Sequence, residues 1–136
     1  MRSRVRAGAL LCAALLSIAA AAGDGRRAGR QWAAVYLSEP TLIGSTIVQG
    51  PVVFVHDDVK MARGEPCTSV VLFDPAFGPG EEVASFHCIP TPRRMVRRFT
   101  LRTRPNVELG FGCVLVEYQF AGDEEGHAVP FTINAH

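Results

Sequence analysis

The segment TSVVLFDPAFGPGEEVASFHC (68–88) decides the fold class of this 136-residue chain. Its two ends, 68–73 and 82–88, are short runs rich in β-branched and aromatic residues. The connection between them, 74–81, is rich in Pro and Gly. This pattern is typical of two antiparallel strands joined by a turn. We therefore predict a β-hairpin near the middle of the chain.

Outside this hairpin, short β-favouring runs separated by Pro and Gly continue along the chain. Further strands are predicted over 33–38, 41–49, 51–56, 97–104, 112–120 and 128–133. Alternation along 112–120 predicts two faces, one with Val114, Val116, Tyr118 and Phe120 and the other with Cys113, Leu115, Glu117 and Gln119. At most one helical turn is expected, around 58–63. The pattern predicts an all-β fold, a single-domain antiparallel β-sandwich or small β-barrel of about seven or eight short strands.

The N-terminal residues indicate export. Arg2, Arg4 and Arg6 precede an apolar run over 7–22, which ends in small residues before Gly23. This is the arrangement of a secretory signal peptide. The predicted organisation is a signal peptide over 1–22, a flexible Gly/Arg-rich lead-in over 23–31 and a single β domain over 32–136. We expect a periplasmic or extracellular destination, with no membrane anchor after cleavage.

The charge of the remaining chain argues against nucleic acid as a partner. Without the three arginines of the signal peptide, 11 basic residues face 13 acidic ones, a net charge of −2. A nearly neutral protein has no general attraction to polyanions. The expected partner is therefore an unidentified protein or a small ligand.

Export makes disulfide bonds available to the cysteines. If Phe73 pairs with residue 82 or 83 in the hairpin, Cys67 and Cys88 lie almost opposite each other, where a disulfide can close. We treat this pair as a candidate structural disulfide. Cys113 is then left over, and it is either a buried free thiol, the partner of Cys88, a site of intermolecular bonding or a reactive thiol.

Residues with metal-ligating chemistry gather at one end of the predicted sheet. The candidate metal ligands are His56, Asp57, Asp58, Cys67, His87, Cys88 and His127. Imidazole and thiolate together suit copper or zinc, but no CxxC or HxxxH motif is present, so no cofactor is assigned. Alternation places the neighbours His87 and Cys88 on opposite faces of their strand. The pair Asp57–Asp58 is more typical of a turn or a helix cap than of a calcium site.

Three blocks of the chain, VHDDVKMARGEPCT (55–68), SFHCIP (85–90) and EYQFAGDEEGH (117–127), resemble segments of small exported bacterial proteins of unassigned function. The resemblance covers roughly residues 35–130. It implies a bacterial source and an exported domain, and it supplies no activity, ligand or catalytic residue.

These observations favour a noncatalytic binding or interaction module. One alternative is a periplasmic copper- or zinc-binding protein that uses the His/Cys/Asp cluster. Another is a small hydrolase or thiol enzyme that uses Cys67 or an Asp57/His56 pair. The chain contains no established catalytic motif, and no catalytic residue is assigned.

Overall fold

A computed structural model describes residues 23–27 and 29–130 of the chain. They form strands β1 (Gly23–Arg27), β2 (Arg30–Ile43), β3 (Thr46–Asp57), β4 (Thr68–Asp74), β5 (Gly78–Phe86), β6 (Ile89–Pro92), β7 (Thr100–Pro105), β8 (Cys113–Gln119) and β9 (Glu125–Ala128), with one short helix, α1 (Asp58–Ala62). The prediction of a single all-β domain is confirmed. The predicted signal peptide and part of the predicted strand 128–133 lie outside the described residues.

The strands form one mixed sheet in the order β5-β4-β3-β2-β8-β9-β6, with β1 also paired to β2 and β7 to β8. The purely antiparallel arrangement predicted from the sequence is wrong at one place, because β2 and β8 run parallel where Thr41 pairs with Cys113 and Leu42 with Val114. Among the described residues, the other strand pairings are antiparallel. In this part of the chain no helix is long and apolar enough to cross a membrane.

The first half of the domain is a long hairpin made by β2 and β3. The predicted strand 41–49 is wrong, because Gly44 and Ser45 form a two-residue turn within it and Gly44 has the positive φ of +63° that such turns require. The region 23–31 also differs from the predicted flexible lead-in. It contains β1 and the start of β2, which pair from Gly23–Ala34 to Arg27–Arg30.

A β-bulge changes the predicted facing of strand β8. Arg102 pairs with Glu117 and Thr103 with Leu115, which leaves Val116 as an extra residue. The bulge breaks the two-residue alternation, so Val116 is exposed while Leu115 and Tyr118 both reach the core.

The core lies between the β3–β4 part of the sheet and the β8–β9 part. The rings of Phe54 on β3 and Tyr118 on β8 are 5.4 Å apart, and the Tyr118 hydroxyl forms a hydrogen bond with the hydroxyl of Thr68 on β4. Phe99 and Phe120 complete an aromatic cluster around Tyr118. Side chains from opposite parts of the sheet therefore meet across one core. Tyr118 connects this core to His127, on which it stacks.

On the other face of β8, two arginines hold the buried carboxylate of Glu117. Arg93 contacts both carboxylate oxygens, with its shortest distance 2.8 Å, and Arg102 contacts one at 2.8 Å. These charge-assisted hydrogen bonds satisfy the buried carboxylate. The same contacts raise the pKa of Arg93.

Candidate metal centre

His56 enters the site from the end of β3. Its backbone register places it between Gln31 on β2 and Thr68 on β4, and its side chain is only 2% exposed. The strand stops at Asp57, whose carboxylate accepts hydrogen bonds from the first backbone N–H groups of α1. This abrupt change from strand to helix brings Asp58 close to His56, with 3.4 Å between Oδ1 of Asp58 and Nδ1 of the imidazole.

Cys67 and Cys88 enter from the open end of the β4–β5 hairpin. Thr68 pairs with Phe86, so Cys67, which precedes β4, and Cys88, two residues beyond β5, meet with their Sγ atoms 2.6 Å apart. The backbone N–H of Cys88 donates a hydrogen bond to Sγ of Cys67 at 3.1 Å. Both cysteines are buried and free, so the candidate disulfide is not formed in this structure.

His127 enters from β9, on the opposite side of the core. It pairs with Tyr118 on β8 and with Pro90 on β6, and its imidazole stacks on the Tyr118 ring with centroids 4.9 Å apart and planes 20° apart. The hydrogen bond between the hydroxyls of Tyr118 and Thr68 holds the ring on which His127 stacks. The His127 imidazole also lies against His56, with ring centroids 4.4 Å apart.

The donor atoms of His56, Cys88 and His127 converge. Sγ of Cys88 lies 3.5 Å from Nδ1 of His127, and one donor atom from each of the three residues lies within 4.8 Å of the other two. Both ring nitrogens of His56 and Nε2 of His127 are buried without a hydrogen-bond partner. Buried polar atoms are normally satisfied by a protein group, an ordered water molecule or an ion, so these nitrogens can accept a water molecule or a metal ion as a partner.

Burial also sets the protonation states of these side chains. It lowers the pKa of His127 to about 4, with a further contribution from the neighbouring His56. Burial likewise lowers the pKa of His56, and it raises the pKa of the Cys88 thiol to about 12, together with the contact to Cys67. At neutral pH both imidazoles are therefore uncharged and have a lone pair available for a metal ion.

An open, mainly acidic cavity of about 270 Å³ leads from the surface to both histidines. Its acidic lining residues are Asp58, Asp123, Glu124 and Glu125. Gln31 donates a hydrogen bond to Asp123 at 2.7 Å, and the guanidinium of Arg26 lies 3.7 Å from the same carboxylate. Four carboxylates and one guanidinium at the mouth favour the approach of a cation.

Four of the seven predicted ligands lie outside the cluster of His56, Cys88 and His127, namely Asp57, Asp58, Cys67 and His87. His87 is exposed and its neighbour Cys88 is buried, and both lie in the short connection between β5 and β6. Asp57 caps α1 and forms an ion pair with Arg30 at 3.4 Å, and its hydrogen bonds from the backbone of Lys60 and Val59 lower its pKa. Asp58 lies at the mouth of the cavity. The prediction that Asp57 caps a helix is therefore confirmed.

Sequence reasoning did not identify Tyr118 or Glu125 as part of the site. Tyr118 appeared only as an apolar strand residue, and its stacking on His127 follows from a long-range pairing of β8 with β9. Glu125 lies 3.9 Å from Nδ1 of His127 and is two residues before it in β9. That i, i+2 spacing, which places two side chains on one face of a strand, is the signal that could have identified Glu125.

No protein-family model matches this chain, and neither a curated protein nor a solved structure shows significant similarity to it.

Proposed function

We propose that this protein is an exported transition-metal-binding protein that holds a copper or zinc ion with His56, Cys88 and His127. The observation that carries the proposal is the convergence of three buried donor atoms, two of them from imidazoles with unpartnered nitrogens. The signal-like residues 1–22 support the exported location.

The spacing of the Cys88 and His127 donors suits one metal ion, and a donor atom of His56 lies within 4.8 Å of both. With bonds of about 2.3 Å to sulfur and about 2.0 Å to nitrogen, two tetrahedral zinc ligands lie roughly 3.5 Å apart. The distance from Sγ of Cys88 to Nδ1 of His127 is 3.5 Å. A thiolate with two imidazoles also forms the trigonal set that copper prefers. Both metals therefore fit the donor set.

The surroundings of the cluster support the same function. Carboxylates commonly orient metal-binding imidazoles through the second ring nitrogen, and Asp58 lies 3.4 Å from Nδ1 of His56. Tyr118 holds the His127 ring by stacking. The acidic cavity gives a cation a path to the histidines.

One observation favours a second candidate, metal-assisted hydrolysis. Three protein ligands leave one position of a tetrahedral zinc ion for water, and the cavity reaches both histidines at this point. Zinc-dependent cleavage of an activated ester, lost in Cys88→Ser, would support this candidate. A metal-loaded protein without such activity is a binding protein.

The test is a titration of the reduced, metal-free protein with Zn²⁺ and, under anaerobic conditions, with Cu⁺. We expect one ion per chain, and affinity reduced by more than about 100-fold in His56→Gln, Cys88→Ser and His127→Gln. The matched control is His87→Gln, which removes the exposed histidine next to Cys88 and should bind like the unsubstituted protein. Far-UV circular dichroism checks that each variant is folded. Equal binding by all four variants, or no binding by the unsubstituted protein, would overturn the proposal.

A further inference from the structure

We propose that Cys67 and Cys88 form a dithiol–disulfide centre that exchanges with small disulfides, and that its oxidation releases the metal ion. The release step rests on the proposed function, because it requires Cys88 to be a metal ligand. The dithiol centre itself rests on the geometry of the two sulfur atoms.

The sulfur of Cys88 belongs to two arrangements that exclude each other. It lies 2.6 Å from Sγ of Cys67 and 3.5 Å from Nδ1 of His127. Two thiolates on one tetrahedral zinc ion lie about 3.7 Å apart, whereas the atoms of a disulfide lie about 2.05 Å apart. The two sulfurs are therefore too close to serve one metal ion together, and Cys67 is placed as the covalent partner of Cys88. A sulfur in a disulfide has no thiolate to offer a metal ion.

The backbone allows the bond to form with little movement. Both cysteines flank the first pair of the β4–β5 ladder, Thr68 with Phe86. The hydrogen bond from the Cys88 amide to Sγ of Cys67 fixes one sulfur relative to the other. Cys67 is not one of the three residues of the metal cluster. Its position beside Cys88 therefore suits it to form a disulfide with that residue.

The exchange balances with one small disulfide, RSSR, as oxidant. The Cys67 thiolate attacks RSSR, which forms a mixed disulfide on Cys67 and expels the first RS⁻. The Cys88 thiolate then attacks the Cys67 sulfur, which forms the Cys67–Cys88 bond and expels the second RS⁻. The two cysteines lose two electrons and RSSR gains them. The two RS⁻ take up the proton of Cys67 and either the proton of Cys88 or, where Cys88 held a metal ion that now leaves, a proton from water. Cys67 attacks first because it lies outside the metal cluster, whereas Cys88 is one of its three members.

Metal binding and oxidation are coupled in both directions. If the disulfide weakens metal binding, bound metal must stabilise the reduced dithiol by the same factor. We therefore expect zinc to shift oxidation of the pair to a higher ratio of oxidised to reduced glutathione.

The experiment equilibrates the full-length purified protein with glutathione buffers and measures two quantities separately. Peptide mass mapping measures the fraction of Cys67–Cys88 disulfide, and titration measures Zn²⁺ affinity in the reduced and oxidised states. We expect the disulfide to form and zinc affinity to fall by more than about 100-fold on oxidation. The control is Cys67→Ser, with Cys67→Ala as a second variant if serine impairs folding. Each retains His56, Cys88 and His127, so it should bind zinc and keep it in oxidised glutathione.

The outcomes separate this proposal from the proposed function. Equal zinc affinity in the reduced and oxidised protein, or equal loss of zinc from Cys67→Ser in oxidised glutathione, overturns metal release while leaving the metal site intact. Absence of a Cys67–Cys88 disulfide at every glutathione ratio overturns the dithiol centre. If the reduced protein binds no metal, the proposed function and the release step both fail, and the mass measurement decides the dithiol centre alone.

Discussion

Acid is expected to destabilise the metal-free protein through His127. Its side chain is 2% exposed, and burial lowers its pKa to about 4 from the ordinary value of 6.5. Since the folded-state pKa lies below the unfolded value, the unfolded chain binds the proton first as the pH falls. Stability is therefore complete above about pH 6.5 and is lost progressively until about pH 4.

The size of the loss follows from the pKa difference. Each pKa unit corresponds to about 1.4 kcal/mol, so a shift from 6.5 to about 4 contributes about 3 kcal/mol over the whole range. Between about pH 7.5 and about pH 4.5, the free energy of unfolding should fall by about 2.5 kcal/mol through this residue. A typical domain has only about 5–15 kcal/mol of stability, so the effect is measurable.

The assay is guanidinium unfolding with a chelator present, at several pH values across this range, for the unsubstituted protein and His127→Gln. Glutamine cannot take up a proton, so the variant should show a slope shallower by up to about 1.4 kcal/mol per pH unit. His56, whose pKa burial also lowers, contributes to both proteins. The control His87→Gln should keep the original slope. Parallel pH curves for His127→Gln and the unsubstituted protein would show that protonation of His127 does not lower the free energy of unfolding.

Three further substitutions test the packing by guanidinium unfolding. Gly112→Ala should lower the free energy of unfolding by about 1–3 kcal/mol more than Gly110→Ala does. Both glycines have φ of +73°, so the backbone strain is the same, but only a Cβ at 112 would overlap a backbone carbonyl oxygen, that of Pro40. Equal losses would refute that overlap. Tyr118→Phe should cost about 1–3 kcal/mol because it removes the buried hydrogen bond between the Tyr118 and Thr68 hydroxyls and leaves Thr68 only the longer contact to Sγ of Cys67, at 3.8 Å. An unchanged midpoint would contradict this. Glu117→Gln should cost about 1–2 kcal/mol by weakening its contacts with two half-exposed guanidinium groups, and a gain in stability would contradict that account.

Local sequence information was enough to bring the two cysteines together. The approach of Cys67 to Cys88 depends on the hairpin of β4 and β5. The predicted register is wrong near the turn, because Phe73 pairs with Pro79 and not with residue 82 or 83. Two register shifts along the ladder bring its open end, where Thr68 pairs with Phe86, to within one or two residues of the prediction. The cap at Asp57 was readable for the same reason, because its hydrogen bonds reach only Val59 and Lys60. A tight turn and a helix cap each involve residues close together in the chain, so the local sequence allows few other conformations there.

Contacts between distant parts of the chain could not be read in this way. His127 reaches His56 only because β9 packs beside β8, and the order of strands in a sheet is not encoded in any single window of sequence. The bulge at Val116 also leaves no mark on the alternating pattern, yet it turns Tyr118 and Leu115 to the same core. Sequence therefore supplied the candidate ligands, and the sheet topology selected three of them.

X-ray absorption spectroscopy of the zinc-loaded, reduced protein identifies the atoms that bind the metal ion. We expect one sulfur at about 2.3 Å and two imidazole nitrogens at about 2.0 Å from the metal, with a fourth light atom at the open position. Cys88→Ser should remove the sulfur signal, and His87→Gln should leave the spectrum unchanged. A spectrum of oxygen ligands without sulfur would rule out the proposed ligands His56, Cys88 and His127, because it would place the ion among the surface carboxylates.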